Sequence, residues 1–426
     1  MFCTVQYSKM IKAYYLEKCV VISLVLWKYF IIYHCYAGLN FSSMIFKVSR
    51  VNMSNVSCSE NDTKEEEKEE ILHYMKVINA FKAYRVTALR ALDECERNYH
   101  ALPPTHKKMI PGNIKAIEES KVCIDCNALV IKEITKFCNE MFINKSYKEL
   151  AEHVPFTSSD SDKVKSTLKQ IVRDWSIDGE EERRLCYMPI IDEITQRLPV
   201  SGNKEIHVLV PGCGLGRLPW ELAKLGYFAQ GNEFSFFMLF TSNFILNKTP
   251  GESEADYHQF TLYPWVGKRC NNISWKDALR AVKFPDVFPG SLPFSNRLSM
   301  AAGDFMEIYD AEAYWDCVAC CFFIDTAPNI ISYLEKIYSI LKPGGLFVNF
   351  GPLLYHFFGM SNERSIELSY QEMVDVIQQV GFVIIKQDWS KGLYTNVPRS
   401  MLNYEYNCAL LVARKPDPRE GYGNSK

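Results

Sequence analysis

The chain has 426 residues, 48% of them hydrophobic and 23% charged, the composition of a globular protein with two or three domains, or of one domain with large additions. A collagen, a wholly disordered chain and a polytopic membrane protein are excluded. Forty-eight basic residues against 50 acidic ones leave a formal charge of −2, so there is no overall attraction to nucleic acid and only a local basic patch could supply one. The 15 cysteines are scattered. The one close pair, Cys123-Ile-Asp-Cys126, has no second pair at zinc-finger spacing and reads as structural, with no metal expected. Cys317, Cys320 and Cys321 sit in apolar strands as reduced core residues, which suggests an intracellular protein.

In chain order, residues 19–36 (CVVISLVLWKYFIIYHCY) are strongly apolar. A signal anchor is the alternative reading, but Lys28 and His34 interrupt the stretch and are costly inside a bilayer. The preferred reading is an N-terminal extension, with Met53 starting the functional chain. The acidic run that follows is expected to begin disordered, and Thr63 with Glu66 forms a capping-box signal for a helix. Ile71, Met75, Ile78, Phe81, Leu89 and Leu92 recur at helical spacing until Pro103-Pro104. A second helix is predicted over residues 114–141, with Ile117, Val122, Leu129, Val130, Ile134 and Phe137 on its apolar face, paired with the first as a hairpin. Helices are also predicted over 164–175 and 181–198. Gln170 and Arg173 share one face of the former, and on spacing alone they are solvated surface residues.

Residues 205–217 (EIHVLVPGCGLGR) read as a buried strand, a glycine turn and a helix start. The continuous apolar run belongs to a central parallel strand. Gly212, Gly214 and Gly216 allow close backbone approach to a ligand. The next strand ends at Glu233, whose carboxylate suits both hydroxyls of a ribose, as in the nucleoside-binding half of a doubly wound α/β domain. A nicotinamide enzyme would place a third glycine at position 217. The residue there is Arg217, whereas S-adenosyl-L-methionine carries no phosphate and does not need that turn. A third strand ends at Asp304-Phe305, a carboxylate for the adenine amino group and a ring for the purine face. A fourth buried strand leads to Asp325, and Lys342-Pro-Gly-Gly345 turns into a fifth. That order of signals is the one found in class I methyltransferases.

The runs 168–175 (LKQIVRDW), 209–217 (LVPGCGLGR), 230–238 (QGNEFSFFM), 321–328 (CFFIDTAP) and 351–356 (GPLLYH) resemble the carnosine N-methyltransferase family over about residues 70–415. Two departures stand out: the apolar N-terminal segment, and Cys213 and Pro328, where some members would differ. The resemblance implies a Rossmann-like α/β fold with a seven-stranded, mostly parallel sheet and an N-terminal helical region. It implies S-adenosylmethionine-dependent methylation of the imidazole of carnosine and related histidine dipeptides, giving anserine from carnosine. It also moves Gln170 and Arg173 from the surface to the cofactor, Arg173 at its carboxylate, with Gly212, Gly214, Glu233, Asp304, Phe305 and Cys321 completing the site.

The chemistry asks for one more group. A nucleophilic imidazole must present a lone pair, with its hydrogen on the far nitrogen. A carboxylate at that N–H selects the tautomer and stabilises the developing imidazolium. Asp325 is the candidate, at the sheet edge where ligands of open α/β folds bind; the plain alternative is a helix N-cap. By itself His356 reads as a packing residue, and the resemblance makes it a substrate contact. Tyr404 and Tyr406 alternate onto one strand face and could wall the imidazole.

The expected organisation is an extension over 1–62, a helical region over 63–200, the catalytic domain over 201–415 and a flexible tail over 416–426. An insertion at about 249–297 is expected to form a lid or substrate-side wall. The expected partner is a small-molecule histidine dipeptide, without nucleic acid, and with no membrane unless 19–36 is an anchor; a homodimer is open. The expected location is the cytoplasm, with the nucleus open. The competing functions are a protein-histidine or RNA methyltransferase and a non-enzymatic helical interaction protein with a degenerate cofactor fold.

Overall fold

A computed structural model describes residues 45–48, 60–140, 154–202, 204–249, 258–361 and 363–419. The apolar stretch 19–36 and Met53 lie outside them. In chain order the elements are β1 (Ile45–Val48), α1 (Glu60–Lys82), α2 (Tyr84–His100), α3 (Pro104–Met109), α4 (Pro111–Glu140), α5 (Ser158–Trp175), α6 (Glu180–Cys186), α7 (Met188–Arg197), β2 (His207–Pro211), α8 (Arg217–Lys224), β3 (Phe228–Glu233), α9 (Phe236–Lys248), β4 (Phe260–Leu262), α10 (Trp275–Ala278), β5 (Val282–Phe284), β6 (Leu298–Ala302), α11 (Phe305–Ile308), β7 (Trp315–Cys321), α12 (Ile330–Ile340), β8 (Leu341–Gly351), α13 (Tyr370–Val380), β9 (Val383–Leu393) and β10 (Glu405–Arg414).

The main sheet runs β1-β6-β3-β2-β7-β8-β10-β9. Strand β10 is antiparallel to β8 and β9, and the other pairings are parallel. The seven strands from β6 to β9 are those expected. Strand β1 adds an eighth beside β6, inside the segment read as an extension. From β2 the chain winds outward through β3 and β6, then returns to β7 and β8 on the other side. The crevice at the carboxyl ends of β2 and β7 is therefore the topological switch point.

The helical region forms as expected, with four differences. The helix expected from residue 71 to Pro103-Pro104 is two, α1 and α2, divided at Ala83. Pro104 opens α3 at its first position, where its missing N–H costs nothing. On α4, Ile117, Ile124, Ile131 and Ile134 are buried, whereas Val122 and Leu129 are 64% and 65% exposed. They stand five residues, about 140°, round from Ile117 and Ile124, so their assignment to the apolar face is wrong. The single helix predicted over 181–198 is two, because Pro189 lacks the N–H to continue α6 and instead sits in the first turn of α7.

One buried cluster joins Phe81, Ile117, Ile134 and Leu168 of the N-terminal helices to Val208, Leu218, Phe244 and Val348 of the sheet layer. The other sheet face packs against α12 and α13 through Ile337 and Ile377. The described residues of the insertion, from 258 on, pack against the helical region. The β4–β5 hairpin lies on α4, where the Asn127 side chain donates to the Tyr263 carbonyl and accepts from its N–H. Asp286 is buried between Arg183 and Arg217, at 2.6 and 2.7 Å.

Candidate functional site at the carboxyl edge of the sheet

The glycine loop leaves β2 with Gly212, Gly214 and Gly216 all at positive φ, backbone that L side chains adopt only with strain. A Cβ on Gly212 would overlap the Phe323 ring. Glu233, at the end of β3, faces this loop. One carboxylate oxygen accepts from the Gly214 N–H at 2.9 Å, and the other accepts from the N–H groups of Phe234 and Ser235. Burial raises its pKa against these three donors. At the end of β6, Asp304 caps α11 by accepting from the Met306 N–H at 2.7 Å. Phe305 is buried, its ring edge-on to Phe323 and beside Tyr309 and Tyr333. The contact expected between the Phe305 ring and a purine face would therefore be made from within this aromatic cluster.

Helix α5 closes the site from the N-terminal side. Its start is held by a capping box between Thr157 and Asp160, and its last turn reaches the glycine loop. Asp174 accepts from the Leu215 N–H, and the Trp175 indole donates to the Leu215 carbonyl. Gln170 is 8% exposed and donates to the Tyr394 hydroxyl at 2.9 Å. The Arg173 guanidinium donates to Gln170 Oε1 and to the Tyr187 hydroxyl, and lies 3.5 Å from both Asp174 and Glu182. The surface placement of Gln170 and Arg173 taken from spacing alone is thus overturned, because the sheet edge lies against the polar face of α5. Cys321 ends β7 beneath this group, buried, with its thiol directed at the Cys186 carbonyl. Burial pushes that thiol well above its usual range, so it is a neutral lining group at neutral pH.

Asp325 lies in a helical turn just past β7 and is 5% exposed. Its Oδ2 accepts from the Leu354 N–H at 2.8 Å, and its own carbonyl accepts from the His356 N–H. Burial pushes its carboxyl up to about 6. It does not cap α12, whose N-cap is Asn329. The backbone of His356 thus meets Asp325 at the same edge, while its imidazole is exposed and edge-on to Phe357. Tyr406 is half-buried against Phe322. Tyr404 precedes β10, is 63% exposed and lines a different cavity. Tyr404 thus stands just ahead of β10 and Tyr406 within it.

Three residues of this arrangement went unnoticed in the sequence. Asp174 could have been found, since it stands four residues from Gln170 and on the same helix face. Tyr187 donates to Asp174 at 2.7 Å, and Tyr394 packs its ring on Phe322 at 5.2 Å. Neither tyrosine has a local signal, since a helix break and a strand end bring them in.

The sheet order, the positive-φ glycine loop and acidic groups at the ends of β3 and β6 are those of a class I S-adenosylmethionine-dependent methyltransferase. The residues fit that cofactor: a backbone cradle without side chains, a ribose-type carboxylate and a strand-end carboxylate, with no phosphate-binding turn. The profile of carnosine N-methyltransferase matches residues 151–417. The carnosine N-methyltransferase of Mus musculus is 46% identical over 83% of this chain and 88% of its own. Carnosine N-methyltransferase unmet of Drosophila melanogaster is 40% identical over 82% and 81%, and the enzyme of Schizosaccharomyces pombe is 36% identical over 82% and 97%. The chain belongs to the carnosine N-methyltransferase family.

Proposed function

We propose that this protein methylates an imidazole nitrogen of carnosine, giving anserine, and acts likewise on related histidine dipeptides. The observation that carries the reading is a buried carboxyl, Asp325, at the switch-point edge in a chain of this family. Bound S-adenosylmethionine supplies an electrophilic sulfonium methyl group, which needs no acid or base for its own activation. Glu233 suits the ribose and Asp304 the adenine, over a backbone floor of Gly212 and Gly214. Gln170 and Arg173, tied to Tyr394 and Tyr187, suit the amino-acid end of the cofactor, and Cys321 lines the same space.

The Leu354 N–H orients the Asp325 carboxylate, which can still accept the imidazole N–H. That contact holds the ring in the tautomer whose far nitrogen bears the lone pair, and it compensates the positive charge that grows on the ring. Tyr406 supports an aromatic wall beside Phe322, and His356 extends the same rim. Tyr404 lines the neighbouring cavity.

Asp325→Ala is expected to keep cofactor affinity by calorimetry and to lose at least about 100-fold in turnover. Full activity would remove Asp325 from the mechanism. Gly212→Val is expected to lose cofactor binding, because Phe323 occupies the space a side chain needs; unchanged affinity would sink the assigned loop. Methyl-labelled cofactor incubated with carnosine, a histidine protein and RNA, with the label located by NMR, tests the substrate class.

A further inference from the structure

A cavity of about 380 Å³ lies between α2, α4, α5, the insertion wall and the segment after β9. It contains none of Gly212, Glu233, Asp304 or Asp325. Its floor is apolar and aromatic, with Leu92, Leu168 and Trp265. Four cationic side chains line it and no acidic one does: Lys165, Lys169, Lys268 and Arg269.

Lys165 is neutralised by Asp162 at 2.9 Å. The other three have no carboxylate partner among the described residues. Lys268 donates to the Ser400 hydroxyl at 3.0 Å, and Arg269 lies over the Trp275 ring at 4.1 Å. Lys169 is half-buried and makes no hydrogen bond or ion pair among the described residues. Burial, with Lys268 and Lys165 alongside, holds its ammonium below the usual lysine range. Like charges gathered on an apolar floor repel one another, and a bound anion relieves that repulsion.

We propose that this cavity is a binding subsite for a small carboxylate or phosphate anion. Lys169 and Lys268 are its principal donors, with Arg269 at its rim. Tyr394 connects it to the transfer site, since the residue lines the cavity, accepts from Gln170 and packs on Phe322. The anion has two sources that share this chemistry: the carboxylate of the dipeptide itself, which rests on the proposed function, or a free anion bound beside the reaction.

The test uses the full chain and the variants Lys169→Met and Lys268→Met. Inorganic phosphate is titrated by calorimetry at constant ionic strength, with and without saturating S-adenosylmethionine. Kinetics are compared for carnosine and for β-alanylhistamine, the same molecule without its carboxylate. A free-anion site predicts phosphate binding that the cofactor does not displace and that each variant weakens about tenfold, the loss of one charge-assisted hydrogen bond, with KM for carnosine unchanged. A dipeptide carboxylate predicts that each variant raises KM for carnosine about tenfold at constant kcat and leaves KM for β-alanylhistamine unchanged. The inference is overturned if phosphate affinity and the ratio of the two KM values are the same in all three proteins, or if the cofactor displaces the phosphate. The calorimetric arm needs no methyl transfer, so it stands even where the proposed substrate is wrong.

Discussion

The Asp325 carboxyl shows how one side chain can trade stability for chemistry. Its folded-state pKa, about 6 against an ordinary 3.8, is raised, so ionising it inside the fold is unfavourable. The penalty is absent below about pH 4, grows between pH 4 and 6, and is complete above pH 6, where it reaches about 3 kcal/mol. Asp325→Asn keeps an acceptor for the Leu354 N–H and removes the charge. It is expected to be more stable than the parent at pH 8 and equally stable at pH 4, by denaturant titration at the two pH values, while losing turnover. Turnover has its own pH signature. Asp325 must be ionised and the imidazole, with a reference pKa of about 6.5, must be neutral. The logarithm of kcat/KM is therefore expected to fall more steeply than one per pH unit as pH drops below 6. A slope of one would mean that only the substrate titrates.

Helix α5 and the insertion wall hold the glycine loop in place, and their contacts differ widely in value. The capping box at Thr157 is a partly exposed local contact, and Thr157→Ala is expected to cost about 1 kcal/mol. Asp286 sits on two buried guanidiniums. Arg183 also donates to the carbonyls of Arg173 and Ser176, and Arg217 also donates to the Asp174 carbonyl. Asp286→Asn strips Arg183 of its carboxylate partner while Arg217 keeps Glu221 at 2.7 Å, and is expected to cost about 3 kcal/mol and to weaken cofactor binding, because the last turn of α5 loses its anchor. Chemical denaturation and calorimetry check both variants, and equal small losses would show that the triad is not what fixes this corner.

The N-terminal helices and the sheet share one core, so they are expected to unfold together. Helix α9 is buried on nearly every side, and Tyr74 and Phe81 of α1 pack on Phe236, Phe237 and Phe240. A helix that is apolar all round needs cover on all sides. Removing residues 1–153 is therefore expected to yield a chain without fixed tertiary structure by near-ultraviolet circular dichroism, while the full chain melts in one transition followed at the tryptophans. Two separated transitions would restore the division near residue 200.

Most of the architecture was legible without coordinates, because it is written in short-range pattern. Apolar runs of strand length, glycines at 212, 214 and 216, acidic residues at strand ends and the turn at 342–345 are each local consequences of backbone sterics and burial. Helix existence was legible for the same reason. The facing of α4 and the break at Tyr187 were misread, because apolar residues also occur on exposed faces and one proline can divide a periodic stretch. The polar closure of the site was not legible from pattern. Gln170, Arg173, Tyr187 and Tyr394 look like surface groups on an amphipathic helix, a helix break and a strand end, and only packing across 224 residues, from Gln170 to Tyr394, buries them together. Burial likewise sets the carboxyl of Asp325 near the pKa of its proposed substrate, since desolvation depends on what the rest of the chain places around a group and not on its neighbours in sequence.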